Sequence, residues 1–148
     1  MTPELSDDYI LACMSAKRTT QFLPDPPEGL RKRHIYIIKI CYDLSLELDE
    51  VRVSDVAEKI NMTLPSITRN ITTLEENGYL RKEENSEDRR VVNIILTDKG
   101  LALYKEDVYG FHKKNSELLK DISEEDMRNT IKTIHKIYHL MEKEYMES

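Results

Sequence analysis

The stretch from Val53 to Gly100 constrains the fold more than any other part of the chain. Ser54-Asp55-Val56-Ala57-Glu58-Lys59-Ile60 reads as a short helix, in which the small Ala57 lets a second helix cross closely. Asn61-Met62 forms a turn. Thr63 to Asn77 reads as a second helix: Thr63 is placed to cap it, Pro65 is tolerated in its first turn, and Gly78 ends it. Ile67, Ile71 and Leu74, at i, i+4 and i+7, form its core stripe. Two strands follow, Tyr79 to Glu84 and Arg90 to Leu96, with Asn85-Ser86-Glu87-Asp88 between them, and another helix starts at Asp98.

Two helices joined by a tight turn, then a hairpin, are the layout of a winged helix-turn-helix, a fold that presents its second helix to the DNA major groove. The expected fold class is therefore mainly α with a small β-wing. The 148 residues suffice for one domain with a real core, or one domain plus arms. Leu5 to Phe22 has near-helical apolar spacing, with Pro3 at its entry. Leu23-Pro24-Asp25-Pro26-Pro27-Glu28-Gly29 cannot be helical and reads as a linker. Leu30 to Leu48 is a helix with a broad apolar face, hence buried on more than one side. Asp98 to Lys120 is one long helix with Gly110 in its middle, where a bend or close packing is expected. Ser123 with Glu124-Glu125-Asp126 restarts a last helix to about Glu144, carrying Met127, Ile131, Ile134, Tyr138, Met141 and Tyr145. Long amphipathic helices thus flank a compact central module, and a second copy of the chain is the simplest cover for their stripes.

No apolar run approaches the roughly 18 residues that span a bilayer, and the acidic N-terminus lacks a signal peptide's pattern. No membrane partner and a cytoplasmic location are expected. Cys13 and Cys41 lie in different helical segments and make no disulfide framework; two small buried hydrophobes are the plain reading. Net charge is −6, and even Arg52 to Gly100 holds eight basic residues against nine acids. Contact with phosphates therefore depends on where the positive charges sit, and binding should be strongly salt-dependent.

On the second module helix, the face opposite the core carries Pro65, Ser66, Arg69, Thr72 and Thr73, with Thr68 and Asn70 at its margins. It holds no acid before Glu75. Hydroxyls and N–H groups at a helix start bind phosphate oxygens, and Arg69 is suited to a bidentate contact with guanine. A merely solvated Ser/Thr face is the alternative. Arg89 and Arg90 sit at or near the hairpin tip, where an arginine can enter a narrow minor groove. Asp88 beside them makes sense as a partner that pins an arginine by a charge-assisted bond. Arg31-Lys32-Arg33, at a helix N-terminus that does not favour cations, is either a solvated cluster or a contact for phosphate or another anion.

Asp88-Arg89-Arg90, then Leu96-Thr97 and Gly100, matches the wing signature of the MarR family of bacterial transcriptional regulators, Asp-x-Arg-x5-Leu-Thr-x2-Gly. Val53 to Ile60 resembles that family's first motif helix, and Ile67-Thr68-Arg69 with Leu74 to Leu80 resembles its recognition helix and exit. The resemblance implies one MarR-type domain over 1–148. Within it, 5–22 and 98–145 would be dimerisation helices, 30–48 a linking helix and 53–97 the DNA-binding lobe. It implies a homodimer on double-stranded DNA, most simply a repressor on a palindromic operator, released by a small aromatic or anionic effector. Ser54, Thr63, Pro65, Ser66, Thr68, Arg69, Thr72, Thr73, Asp88, Arg89 and Arg90 are the candidate DNA-binding residues, with Arg90 in the minor groove and Asp88 holding it.

His34, Tyr36, Tyr42, Tyr104 and Phe111 are candidates for an effector pocket, with ordinary core packing as the alternative. Some MarR-like proteins sense oxidants through a first-helix cysteine held by tyrosines of the partner chain. Cys13 lies in that helix, but its surroundings depart from that subgroup's pattern. His135 and His139 have metal-ligand spacing, yet zinc-responsive members do not place histidines on the last helix, and no metal or cofactor is expected. There is no glycine-rich phosphate loop, CxxC or HExxH, so no enzyme is expected; the competing functions are a winged-helix protein-interaction module and a cysteine-based redox regulator.

Overall fold

Thr2 opens the first helix. Its hydroxyl accepts a hydrogen bond from the Leu5 N–H at 3.2 Å and Pro3 enters the first turn, so α1 runs Pro3–Thr19. The computed structural model describes residues 1–146, and the last two residues of the expected 1–148 domain lie outside the described residues. The chain divides into two compact units, Met1–Phe111 and the residues from His112 onward.

In the first unit, Thr20–Phe22 tightens into a 3₁₀ turn instead of extending α1, and Leu23, before Pro24, takes the extended conformation that proline imposes on its predecessor. α2 (Lys32–Glu47) is the buried spine, with Ile37, Ile38, Ile40, Cys41 and Leu44 inside. α3 (Val53–Ile60) opens where the Arg52 N–H donates to Asp55 Oδ2 at 2.8 Å. Asn61, in the left-handed region at φ 59°, turns the chain into α4 (Leu64–Glu76), capped by Thr63. Ile67, Ile71 and Leu74 are fully buried and join Ile37, Ile38, Val56 and Leu80 in one core. Each such side chain contributes about 1.5–3 kcal/mol on burial, so this stripe fixes α4 on the lobe.

β1 (Leu80–Glu84) and β2 (Val92–Leu96) pair antiparallel, Leu80 opposite Leu96 and Glu84 opposite Val92. Both strands are shorter than the sequence predicts. Arg90 and Val91 fall outside β2 because the Arg90 N–H donates to Asp88 Oδ1 and the Val91 N–H to the Asp88 carbonyl, which uses both donors inside the turn. The sequence also gave no sign of a further edge, where the Ile94 N–H donates to the Val51 carbonyl at 2.8 Å and Arg52 bridges Asn93.

Thr97 caps α5 (Asp98–Leu103) and donates its hydroxyl proton to the Gly78 carbonyl at 2.6 Å. Gly100 sits where a Cβ would lie 2.1 Å from the Tyr79 carbonyl oxygen. Alanine gains up to about 1 kcal/mol of helix propensity, but a clash against backbone outweighs that. We expect Gly100→Ala to destabilise the lobe by about 3 kcal/mol, the upper end for overpacking, in urea melts; a melt like wild type would show that the turn moves freely.

The expected single helix from Asp98 is interrupted. Tyr104–Tyr109 forms a π turn, and the Gly110 N–H donates to the Lys105 carbonyl five residues back, before α6 (Gly110–Leu118). A Cβ at Gly110 would sit 3.3 Å from that oxygen, so the close packing expected there takes this form.

The second unit contains α7 (Glu124–Met146). Ser123 Oγ accepts from the Asp126 N–H at 3.0 Å and donates to Asp126 Oδ2 at 2.8 Å. No residue of α7 is buried, and Met127, Ile131, Ile134, Tyr138, Met141 and Tyr145 are all exposed. α1 likewise buries none of its residues. No helix among the described residues is long and apolar enough to cross a membrane.

Candidate nucleic-acid interface

The core stripe of α4 determines which of its residues face out. Thr63, Pro65, Thr68 and Arg69 are exposed, Ser66, Thr72 and Thr73 are half-buried, and Ser54 is exposed on α3. Thr63 Oγ1 accepts from the Ser66 N–H at 3.4 Å. Thr73 donates back to the Arg69 carbonyl at 3.2 Å. Thr72 Oγ1 accepts from Lys82 Nζ at 3.1 Å, and that ammonium lies 3.5 Å from Glu75. Glu75 also accepts the Lys82 N–H at 2.8 Å, so the first acid of this helix is tied to the wing strand. Asn70, read from sequence as marginal to the outer face, is buried and donates to the Ser66 carbonyl at 2.8 Å. The first two turns of α4 thus present hydroxyls, a guanidinium and no carboxylate.

At the wing tip, Arg90 is held in a fork. Its Nε donates to Asp88 Oδ1 at 3.1 Å and its terminal nitrogen to Oδ2 at 3.0 Å, while its side chain stays 90% exposed. The guanidinium's bond holds the Asp88 carboxyl below the usual carboxylate range. Arg89 is equally exposed, with Glu84 3.7 Å away.

The residues that shape this tip escaped the sequence reading. Asn85 is buried; its Oδ1 accepts the Glu87 and Asp88 N–H groups at 3.0 and 3.2 Å. Its Nδ2 donates to Asn93 Oδ1 at 2.9 Å and to Glu50 Oε2 at 3.1 Å. Glu50 also accepts the Ser86 hydroxyl at 2.9 Å, which with the Ser86 N–H draws its pKa down. The available signal was Asn93, a lone amide in a β-branched strand.

Residues 46–92 match the family model described as the MarR family. The whole chain is similar in fold to Streptococcus pneumoniae FabT, crystallised in complex with DNA, at 23% identity over 96% of this chain and 99% of that one, with a TM-score of 0.70. It is also similar to S. aureus MepR in a DNA complex, at 18% identity over 95% of this chain and 99% of that one, TM-score 0.66. PcaV of Streptomyces coelicolor, in complex with its natural ligand, is similar at 14% identity over 94% and 93%, TM-score 0.61.

The expected effector residues lie in more than one place. Tyr42 and Tyr104 stack on each other with ring centroids 3.8 Å apart. Tyr42 also lines a cavity of about 610 Å³ beside Ser45, Ile94 and Leu101. Tyr36 is exposed, Phe111 is half-buried, and His34 lines a different cleft. Cys13 and Cys41 are both free thiols; burial pushes Cys41 up to about 12, which makes it inert, while Cys13 is half-exposed on α1. His139 Nδ1 lies 3.6 Å from Glu142, and among the described residues no three potential metal ligands converge.

His34 caps α2: its Nδ1 accepts the Arg31 N–H at 2.9 Å. Burial, then the nearby Arg33 charge, lowers its pKa. The neutral ring is therefore favoured in the folded state, and the unfolded chain takes up the proton first. Stability should fall as pH drops below about 6.5, the unfolded value. His34→Gln keeps an acceptor for the cap and should flatten the melting temperature between pH 7.5 and 5.5; an equally steep decline in this variant would assign the effect elsewhere.

Proposed function

We propose that the chain is a DNA-binding transcriptional regulator, most simply a repressor, that binds a palindromic operator as a homodimer. The observation that carries this reading is the Arg90 guanidinium, exposed at the wing tip and pre-set by Asp88, on the same lobe as an α4 face whose first two turns lack acids. α4 would enter the major groove with Ser66, Thr68, Arg69 and Thr72 toward bases and phosphates, and Arg90 the adjacent minor groove. Thr63, Pro65, Thr73, Ser54 and Arg89 complete the contact face, and 53–97 is the reading lobe.

Dimerisation falls to 5–22 and 98–145, with 30–48 as the linking helix, because α1 and α7 leave their apolar stripes uncovered in one chain. Two lobes would then meet half-sites about 34 Å apart. The FabT and MepR complexes with DNA, and the PcaV transcriptional regulator with its natural ligand, support regulation by DNA binding and a small effector; on this reading the chain acts in the cytoplasm and without catalysis. An effector acts by favouring a different lobe spacing.

Selection of bound duplexes from a random pool by the purified chain tests this. A two-fold symmetric consensus is expected. Absence of any enriched duplex in dilute buffer, or enrichment of a single half-site, overturns it.

A further inference from the structure

Where α2 begins, its first turn faces the flank of α4 across a cleft of about 430 Å³. Arg31 and Arg33 line it from α2, and Ser66, Arg69 and Thr73 from α4. Arg52, Arg81, Arg89, Arg90 and Arg128 each lie within 4.0 Å of a carboxylate. Arg31, Arg33 and Arg69 have no such partner among the described residues, and no acid lines the cleft. In a chain of net charge −6, three guanidiniums without a carboxylate partner meet around one concave surface, whereas Arg18 on α1, which also lacks one, bonds to the Ser15 hydroxyl. Two of them also sit at a helix N-terminus, where the peptide dipoles repel cations unless an anion intervenes. His34 closes the floor as a buried ring already committed to the Arg31 N–H, so it adds no negative charge.

We propose that this cleft is an oxyanion seat that holds a phosphate group, supplied by the DNA backbone flanking the half-site. Guanidiniums suit it because each offers a fork of donors to phosphate oxygens, and the Ser66 and Thr73 hydroxyls lie on the same wall. The assignment to DNA rests on the DNA-binding reading above; free inorganic phosphate offers the same chemistry. Arg69 stands where the outer face of α4 meets the cleft, so it contacts backbone here instead of reading a base.

The test compares wild type, Arg31→Gln/Arg33→Gln, and Lys39→Gln, which removes a positive charge from the same helix at a residue that does not line the cleft. Binding of a mixed-sequence duplex is followed by anisotropy across a salt series. Each phosphate contact contributes about 0.9 to the slope of log K against log salt, so a dimer of the cleft variant should lose about 2 and the control nothing. The base preference selected from random DNA should be unchanged. In parallel, inorganic phosphate is titrated into each free protein at fixed ionic strength, following the backbone amide resonances of positions 32 and 33.

Loss of slope confirms the backbone seat. An unchanged slope with a saturable phosphate response, lost in the cleft variant, assigns the seat to free anion and overturns its assignment to DNA. An unchanged slope and no saturable response overturn the seat altogether. If wild type binds no duplex, the regulator reading fails, and the phosphate titration still decides the cleft.

Discussion

Arg90→Ala loses operator affinity by about 10²–10⁴-fold, while its sedimentation and melting match wild type. Each half of a dimer presents one Arg90, and a charged hydrogen bond in a desolvated contact is worth about 1.5–3 kcal/mol. The side chain is 90% exposed and its ion pair is with the neighbouring Asp88, so removing it leaves no cavity. Surface changes of this kind shift stability by no more than about 0.5 kcal/mol. The effect is large because Asp88 orders the guanidinium before DNA arrives, leaving less freedom to lose on binding. Anisotropy on the selected operator, with calorimetric melts of both proteins, reads the two halves of the claim. Wild-type affinity in this variant would remove the wing from the interface.

Ending the chain after Ile122 leaves a monomer in sedimentation velocity and weakens operator binding by about 10²–10⁴-fold, the usual contribution of tethering a second site. α7 buries none of its residues, and none belongs to the core built around α2 and α4. Truncation therefore removes apolar surface and no residue of that core. Circular dichroism of the shortened protein should retain the signal of α2 to α6 and lose that of α7. A shortened chain that still sediments as a dimer would show that α7 is not the pairing element.

The lobe was legible because its boundaries are written in single residues. Thr63, Asn61 and Gly78 mark helix ends by capping and left-handed conformation, and Ile67, Ile71 and Leu74 mark the face that must go inward. The missed features are those in which side chains or distant backbone take donors that local pattern assigns to a ladder. Asp88 withdraws Arg90 and Val91 from the strand. The π turn at Tyr104–Tyr109 leaves the apolar spacing of Leu101 to Phe111 readable as plain helix, and only Gly110 hinted at it. His34 looked like an effector contact, and its neighbour-in-space Arg31 revealed it as a cap only once folded. In the α2–α4 cleft Arg69 stands 36 positions after Arg33, and no periodicity reports such a meeting.

The wing tip is braced inside the lobe by short hydrogen bonds, neutral ones from Asn85 to Asn93 and to the Glu87 and Asp88 backbone and others to the Glu50 and Asp88 carboxylates, whereas the grip on a duplex proposed for it is purely ionic. Mobile ions screen attraction to a polyanion far more than they loosen hydrogen bonds made within the lobe. A rise in electrolyte should therefore detach the protein with its fingertip still formed, so that recapture after dilution proceeds at encounter speed, with no folding lag.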